Sequence, residues 1–404
     1  MVFKFDKTSD AAPSARRAGY RRNRFRRRQS NIRPRFRHPG PKHMDSFEPR
    51  FLLLAGALGI GFLYGTIARA SGFCLRSAVI EVIDRRPARQ AAAWAVALPV
   101  AVLSTQVLGY LGIIDLSNTM YLTPTVMWLS LIVGGLLFGF GMVITRGCGG
   151  RHLVLAAGGN LRSWVVITVL GLTAYMTLRG ILALPRTWIE SAGSVSLGET
   201  AQSIPLLLTD EAGAATAALV IAGLMVLTGG FAAWRLARRP GALGGIAAGL
   251  AVGLLIPASW YVTGVLGFDE FEPAPMVSLT FTAPMGNALQ FLMTYTGSAA
   301  DFGITAVAGV LAGAFAWAVA SRSLKAEGFD TPGHLARYAL GGALMGFGGV
   351  LALGCTVGAG LTGMSTLSLG SLIALASIVS GGAIGHFVKT RVVGGRSPAI
   401  VPAE

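Results

Sequence analysis

Uninterrupted apolar runs of about 20 residues recur along the chain, and a helix of that length crosses the hydrocarbon core of a bilayer. A segment in lipid must satisfy its own backbone, which only helices and closed barrels do. The runs are continuous rather than alternating in ten-residue strands, so helices are favoured over a barrel. Of the 404 residues, 13% are charged, about half the fraction typical of a soluble domain. The chain is therefore predicted to be an all-α, polytopic membrane protein.

Nine membrane-spanning segments are predicted, each from one apolar run. They lie at 51–70, 91–114, 127–145, 164–185, 213–234, 241–261, 303–321, 338–354 and 369–388.

The segments between these runs differ sharply in charge. Arg and Lys concentrate in one set of loops and in the tail, at 76–90, 146–162, 235–239, 322–337 and after 388. The other loops, 115–126, 186–212 and 262–302, hold one cation, Arg186, against nine acids. Because short cationic loops stay in the cytoplasm, the C-terminus is predicted to be cytoplasmic. The first helix then starts on the periplasmic side of a bacterial inner membrane.

The N-terminal segment is strongly basic. Residues 1–50 carry 15 of the 34 Lys and Arg residues, without the apolar periodicity of a packed element. We predict a basic disordered extension at 1–47 and a cytoplasmic tail at 393–404. A nucleic-acid or anionic-lipid tail is the alternative, but no nucleic-acid partner is expected. The predicted orientation would place 1–43 outside the cell, so a native start at Met44 is a further hypothesis.

An internal repeat gives the strongest clue to the architecture. Residues 139–148 (GFGMVITRGC) resemble residues 346–355 (GFGGVLALGC), which lie 207 positions later. By the loop charges, the helix before Cys148 runs inward and the helix before Cys355 runs outward, so the copies are inverted. Inverted repeats with broken helices are a transporter architecture.

The repeat divides the predicted transport domain, 48–392, into a 4+1+4 arrangement. Repeat one covers 51–185, the linking helix covers 213–234, and repeat two covers 241–388. Each repeat also contains an early interruption, at 71–77 (SGFCLRS) and 278–286 (SLTFTAPMG). Both are predicted to be re-entrant turns, which membranes tolerate only where protein or a water-filled cavity covers the backbone.

All three cysteines lie where a helix is predicted to break: Cys74 in the first re-entrant turn, and Cys148 and Cys355 at the ends of the two repeated segments. A membrane cysteine is often a small apolar filler, and a Cys/His metal site using His152 is a second alternative. Thiols that line a path would offer weak S–H donors and polarizable sulfur acceptors. That chemistry suits a soft, sulfur-rich anion.

Cations and hydroxyls flank the same breaks. Arg146 and Arg151 flank Cys148 and Arg76 follows Cys74, although such arginines also serve as simple cytoplasmic anchors. Thr280 and Thr282 could hydrogen-bond an anion at the second re-entrant turn. Trp260 and Tyr261 are expected in the interfacial aromatic belt. No enzyme motif is present, so neither catalysis nor a cofactor is expected.

The cysteine motifs identify a family resemblance that covers residues 48–392. The segments 71–77, 146–152 (RGCGGRH), 256–264 (IPASWYVTG) and 353–360 (LGCTVGAG) resemble the YeeE/YedE sulphur-transport family. The resemblance implies a nine-helix, hourglass-like transporter that takes up thiosulfate. It also implies that Cys74, Cys148 and Cys355 relay the substrate through S–H···S hydrogen bonds. A small cytoplasmic sulfurtransferase of the TusA type is an implied partner.

Other functions stay open at this level. A membrane sulfur carrier would hold sulfur as a cysteine persulfide. Uptake of another sulfur or selenium species would use the same path, and a helical scaffold protein would carry inert, buried cysteines.

Overall fold

The structure is a computed structural model that describes residues 49–85, 88–198, 200–239, 241–269, 275–329 and 331–393. The predicted extension 1–47, the alternative start at Met44 and the tail after 393 lie outside the described residues. Helices dominate. They are α1 (Pro49–Ser71), α2 (Leu75–Ile83), α3 (Arg89–Tyr110), α4 (Trp128–Ile144), α5 (Gly149–Ala157), α6 (Leu161–Arg179), α7 (Ala183–Ala192), α8 (Ile204–Leu208), α9 (Glu211–Ala237), α10 (Ala242–Tyr261), α11 (Thr282–Met293), α12 (Phe302–Ala320), α13 (Pro332–Leu351) and α14 (Leu369–Val393).

Short irregular elements complete the described chain. Val262–Leu266 and Gly358–Gly363 are π-helical turns, and Tyr295–Gly297 is a 3-10 turn. Strand β1 (Thr125–Val126) pairs antiparallel with β2 (Val195–Ser196). This two-residue ladder ties together two loops that the charge pattern predicts on the same side of the membrane.

Eight helical segments of the described residues are long and apolar enough to cross a membrane. They are Pro49–Ile83, Arg89–Tyr110, Trp128–Ala157, Leu161–Arg179, Gly213–Ala237, Ala242–Leu266, Phe302–Ala320 and Leu369–Arg391. The ninth predicted segment, 338–354, falls largely in α13. That helix has 20 residues, but His334 and Arg337 in its first turns make it more polar. The prediction of an all-α, multi-pass membrane protein is confirmed.

The two halves of the protein run in opposite directions. Gly134 of α4 contacts Gly348 of α13, and Gly141, two turns later, contacts Gly341, which lies earlier on α13. These corresponding helices of the repeat are therefore antiparallel. Contacts between α1 and the segment that directly follows α10, its counterpart, run in the same antiparallel order: Gly56 lies against Val262, and Leu53 lies against Gly267.

Parallel pairs then join one half to the other. A side chain at Gly61 or Gly65 of α1 would meet the carbonyl oxygens of Ala306 and Val310 on α12. Glycines of α10 lie against carbonyl oxygens of α3 in the same way. The parallel pair α4–α14 likewise has the same glycine-mediated packing as the pair α6–α13. Small residues allow this close backbone approach, and the resulting van der Waals contacts hold membrane helices together. Exchanging the halves converts each pair into the other, which supports the 4+1+4 inverted repeat.

The linking helix α9 breaks this symmetry. It packs mainly along α3 and the short α8, and only 11% of its most apolar stretch is buried inside the protein. Its outer face carries large apolar side chains, as expected for a helix that lies between the bundle and lipid.

Candidate functional site

The first helix break brings Cys74 into the interior. After α1 ends at Ser71, Gly72 takes a left-handed backbone conformation (φ +72°). Cys74 then caps α2 and is buried. Gln90 of α3 bridges the break: its Oε1 accepts a hydrogen bond from the Cys74 N–H (3.2 Å), and its Nε2 donates to the Ser71 carbonyl (2.9 Å). This bridge fixes the thiol at the N-terminus of a half-helix.

The second break places Cys148 beside the first thiol. Arg146 has a left-handed backbone (φ 67°) that turns the chain out of α4, and Cys148 caps α5. The buried Cys148 side chain lies beside the Cys74 thiol and the hydroxyl of Thr356 and interacts with both. One residue of the second half therefore reaches the thiol pair of the first half.

The third break, after α13, holds Cys355. Leu353 (φ 56°) and Gly354 (φ +151°) both have positive φ, and the Gly358 N–H donates to the Cys355 Sγ (3.4 Å). Buried Tyr121 lies nearby, outside the membrane-spanning segments. Burial first, and the Cys355 thiol second, raise the pKa of the Tyr121 phenol.

The second re-entrant turn offers an aromatic ring and hydroxyls in place of a thiol. Phe281 is fully buried at the repeat position of Cys74. Thr280 lies directly against Gly358 of the third break. Thr282 begins α11, and its buried hydroxyl has no hydrogen-bond partner in the described structure.

A single buried side chain shows that these breaks converge. The Tyr64 hydroxyl of α1 lies within electrostatic range of Cys74, Cys148, Cys355 and Arg151. Tyr64 itself is 2% exposed. The three thiols, one from each break, thus all lie within electrostatic range of one phenol inside the protein.

The predicted arginines divide between the interior and the surface. Half-buried Arg151 donates to the Ala68 carbonyl (Nη1···O 3.5 Å) and acts electrostatically on Cys74. Arg76 of α2 is also partly buried and acts on the same thiol. Arg146 is exposed at its turn. The interior positive charge therefore comes from Arg151 and Arg76.

His152 is used within the helix bundle. Its Nδ1 lies 3.0 Å from the Ser163 hydroxyl, and its ring meets Tyr338 edge-on. Within the described ranges, no three His, Cys, Asp or Glu side chains are grouped as a metal ion requires.

The expectation for Trp260 is wrong. Its side chain is fully buried, and its Nε1 donates to the Ser365 hydroxyl (3.1 Å), so it does not lie in the aromatic belt. The reason is that α10 packs between α1 and α3, which turns this face of the helix inward. Tyr261, the next residue, is 38% exposed.

Three residues of the site did not stand out in the sequence: Gln90, Thr356 and Tyr64. Thr356 directly follows a cysteine, which is a usable signal. Tyr64 offers a weaker one, as a phenol in the middle of an apolar run. Gln90 was hidden because it lies in a cationic loop that the charge pattern already explained.

Comparisons with known proteins give one family match and two similar relatives. The family described as Sulphur transport matches residues 70–384, which include all three breaks. "Thiosulfate transporter TsuA" of Escherichia coli (strain K12) is 26% identical over 345 residues, covering 82% of this chain and 93% of the relative. "Thiosulfate transporter TsuA" of Spirochaeta thermophila is 25% identical over 329 residues, covering 78% and 92%.

Proposed function

Since the chain belongs to the Sulphur transport family, we propose that it takes up thiosulfate, or a closely related sulfur-containing anion, across the bacterial inner membrane. Two relatives, which the alignment with this chain covers over nearly their whole length, are named thiosulfate transporters. In this proposal the substrate crosses unchanged, so the protein acts as a transporter and not as an enzyme.

The observation that carries the proposal is that three helix breaks place Cys74, Cys148 and Cys355 in one buried core, with Tyr64 within electrostatic range of all three. A desolvated anion needs compensating interactions, because burial of an unpaired charge is costly. The half-helices α2 and α5 begin at Cys74 and Cys148, and their free N–H groups favour negative charge. The S–H groups add weak donors that match the soft terminal sulfur of thiosulfate.

The order of the thiols follows from the predicted orientation. Cys355 lies near Tyr121, on a loop predicted to be periplasmic, and Cys148 contacts Cys74 near the cationic loops. We therefore place Cys355 at the outer end of the relay and the Cys148–Cys74 pair at the inner end. Thr280 and Thr282 supply hydroxyls to the anion between them.

Charge compensation is assigned to two layers of cations. Arg151 and Arg76 act on the inner thiol pair. Arg76, Arg146 and Arg337 also lie within electrostatic range of Lys389. This second group of cations, at the cytoplasmic surface, would draw the released anion toward the cytoplasm. It would also suit an acidic patch on a TusA-like sulfurtransferase.

Replacement of single thiols tests the relay. Cys148→Ser and Cys355→Ser keep the side-chain size but replace the soft sulfur donor, so each should abolish uptake of radiolabelled thiosulfate into proteoliposomes. The amount of folded protein, measured by size-exclusion chromatography in detergent, should stay unchanged. Cys74→Ser is expected to retain partial uptake, because the second repeat functions with Phe281 at that position. Full activity of both Cys148→Ser and Cys355→Ser would refute the relay.

A mass measurement on the wild-type protein distinguishes transport from the function of a persulfide carrier. In a carrier, a cysteine thiolate attacks the outer sulfur of thiosulfate, a new S–S bond forms, the old S–S bond breaks, and sulfite leaves. Intact-mass measurement after exposure to thiosulfate should show no added sulfur atom under the transport proposal. A stable one-sulfur adduct together with released sulfite would support the carrier instead.

A further inference from the structure

Tyr64 is a buried polar side chain that the relay described above leaves without a role. It lies in the C-terminal half of α1, and its ring packs against Phe281 with a centroid distance of 5.0 Å. The next residue, Gly65, meets the Val310 carbonyl of α12 closely. The backbone around Tyr64 is therefore held by tight helix packing, and its ring is held by Phe281.

The hydroxyl at the end of this rigid side chain is not used by the fold. No hydrogen bond joins it to another described residue, and its oxygen is not sealed off, unlike the unpartnered hydroxyls of Thr105 and Thr282. A Cβ atom at Gly150 would lie only 3.2 Å from the Tyr64 oxygen and 3.1 Å from Phe281 Cδ2. The absent side chain at Gly150 lets the hydroxyl approach the first turn of α5.

The surroundings of the hydroxyl suit an anion. Cys148 caps α5, two residues before Gly150, and the free N–H groups of that first turn lie at the positive end of the helix. Arg151 is within electrostatic range of the hydroxyl, as are the three thiols. The thiols can contact a soft sulfur atom, but they are poor donors to the hard oxygens at the other end of a thiosulfate ion.

We propose that the Tyr64 hydroxyl is a substrate-binding donor at the midpoint of the path, where it hydrogen-bonds an oxygen of the sulfonate group while the thiols contact the outer sulfur. This inference rests on the proposed function and assigns recognition of the oxygen end to one residue. It makes Gly150 a required part of the site, because a side chain there would displace the hydroxyl.

The test compares Tyr64→Phe with wild type and with Tyr261→Phe, a control at an exposed tyrosine. Wild type should take up radiolabelled thiosulfate and should be stabilised thermally by added thiosulfate. Loss of a hydrogen bond to a charged ligand should raise the KM of Tyr64→Phe about 10-fold or more and should remove the thermal stabilisation. Tyr261→Phe should match wild type in both measurements.

A spectroscopic measurement covers the case in which Tyr64→Phe does not fold. Site-specific 3-fluorotyrosine at position 64 should show a fluorine NMR shift on addition of thiosulfate, and the same label at 261 should not. Wild-type KM in Tyr64→Phe, or an unmoved resonance at 64, would overturn this inference alone. If wild type itself fails to transport thiosulfate, the proposed function fails instead.

Discussion

The two halves of the inverted repeat both break before a cysteine, at Cys148 and at Cys355, but the residues at the two breaks differ in chemistry. In the first half, Cys148 is followed by two glycines and Arg151. In the second half, Cys355 is followed by Thr356, and Gly358 occupies the repeat position of Arg151. The early breaks differ in the same direction, because Cys74 corresponds to Phe281. One half therefore presents thiols and a cation, and the other presents one thiol, hydroxyls and an aromatic ring.

This difference shows how an inverted repeat can give a directional path. The glycine contacts between helices recur in both halves, so the scaffold is shared. At the helix breaks, however, the two halves carry side chains of different chemistry. We infer that the scaffold sets the position of the path and that the break residues set its polarity.

Disruption of the shared scaffold should have the largest effect. Gly65→Val would push a branched side chain onto the Val310 carbonyl of α12, and such overpacking costs about 1–3 kcal/mol or more. We expect no folded protein by size-exclusion chromatography in detergent. Gly59→Val on the same helix is the matched control, since nothing lies within 4 Å of a Cβ atom there. A folded, active Gly65→Val variant would contradict the close helix packing.

Removal of one of the two interior cations, Arg151, tests the chemical asymmetry. Arg151→Ala should leave the helix packing intact but reduce thiosulfate uptake by about 10-fold or more, because a charge-assisted contact to the substrate is lost. Arg146→Ala, at an exposed turn of the same segment, should have a clearly smaller effect. Equal losses in the two variants would mean that only the general cytoplasmic charge matters.

Removal of a single hydroxyl in the second half should have the smallest effect. Thr282→Val deletes a buried hydroxyl without a partner, so thermal stability should be unchanged or slightly higher. Uptake should fall about threefold, because the Thr280 hydroxyl is proposed to donate to the same anion and remains in place. Thr105→Val removes another buried, unpartnered hydroxyl away from the breaks and should leave uptake unchanged. Identical uptake in the two variants would remove Thr282 from the site.

Much of this architecture could be predicted because bilayers impose simple rules. Apolar length and loop charge led to the membrane spans, and the two Gly-Cys segments led to the repeat. The helix α13 was predicted from its apolar second half, although its first turns are polar. These features are local in the sequence, so no knowledge of packing was needed.

The rest depends on contacts between distant segments. Gln90 bridges Cys74 and Ser71 only because α3 returns beside the first break. Trp260 turned out to be buried because neighbouring helices cover its face. Tyr64 gained significance only through its position among three thiols that are far apart in the sequence. A single sequence contains no signal for such convergence.

The most direct test of the central claim is to locate the substrate by anomalous X-ray diffraction from crystals soaked in selenosulfate, in which selenium replaces the outer sulfur of thiosulfate. The account predicts a selenium peak within hydrogen-bonding distance of the sulfur of Cys74, Cys148 or Cys355, with the sulfonate oxygens toward Tyr64. A peak at a site lined by none of these cysteines would contradict it.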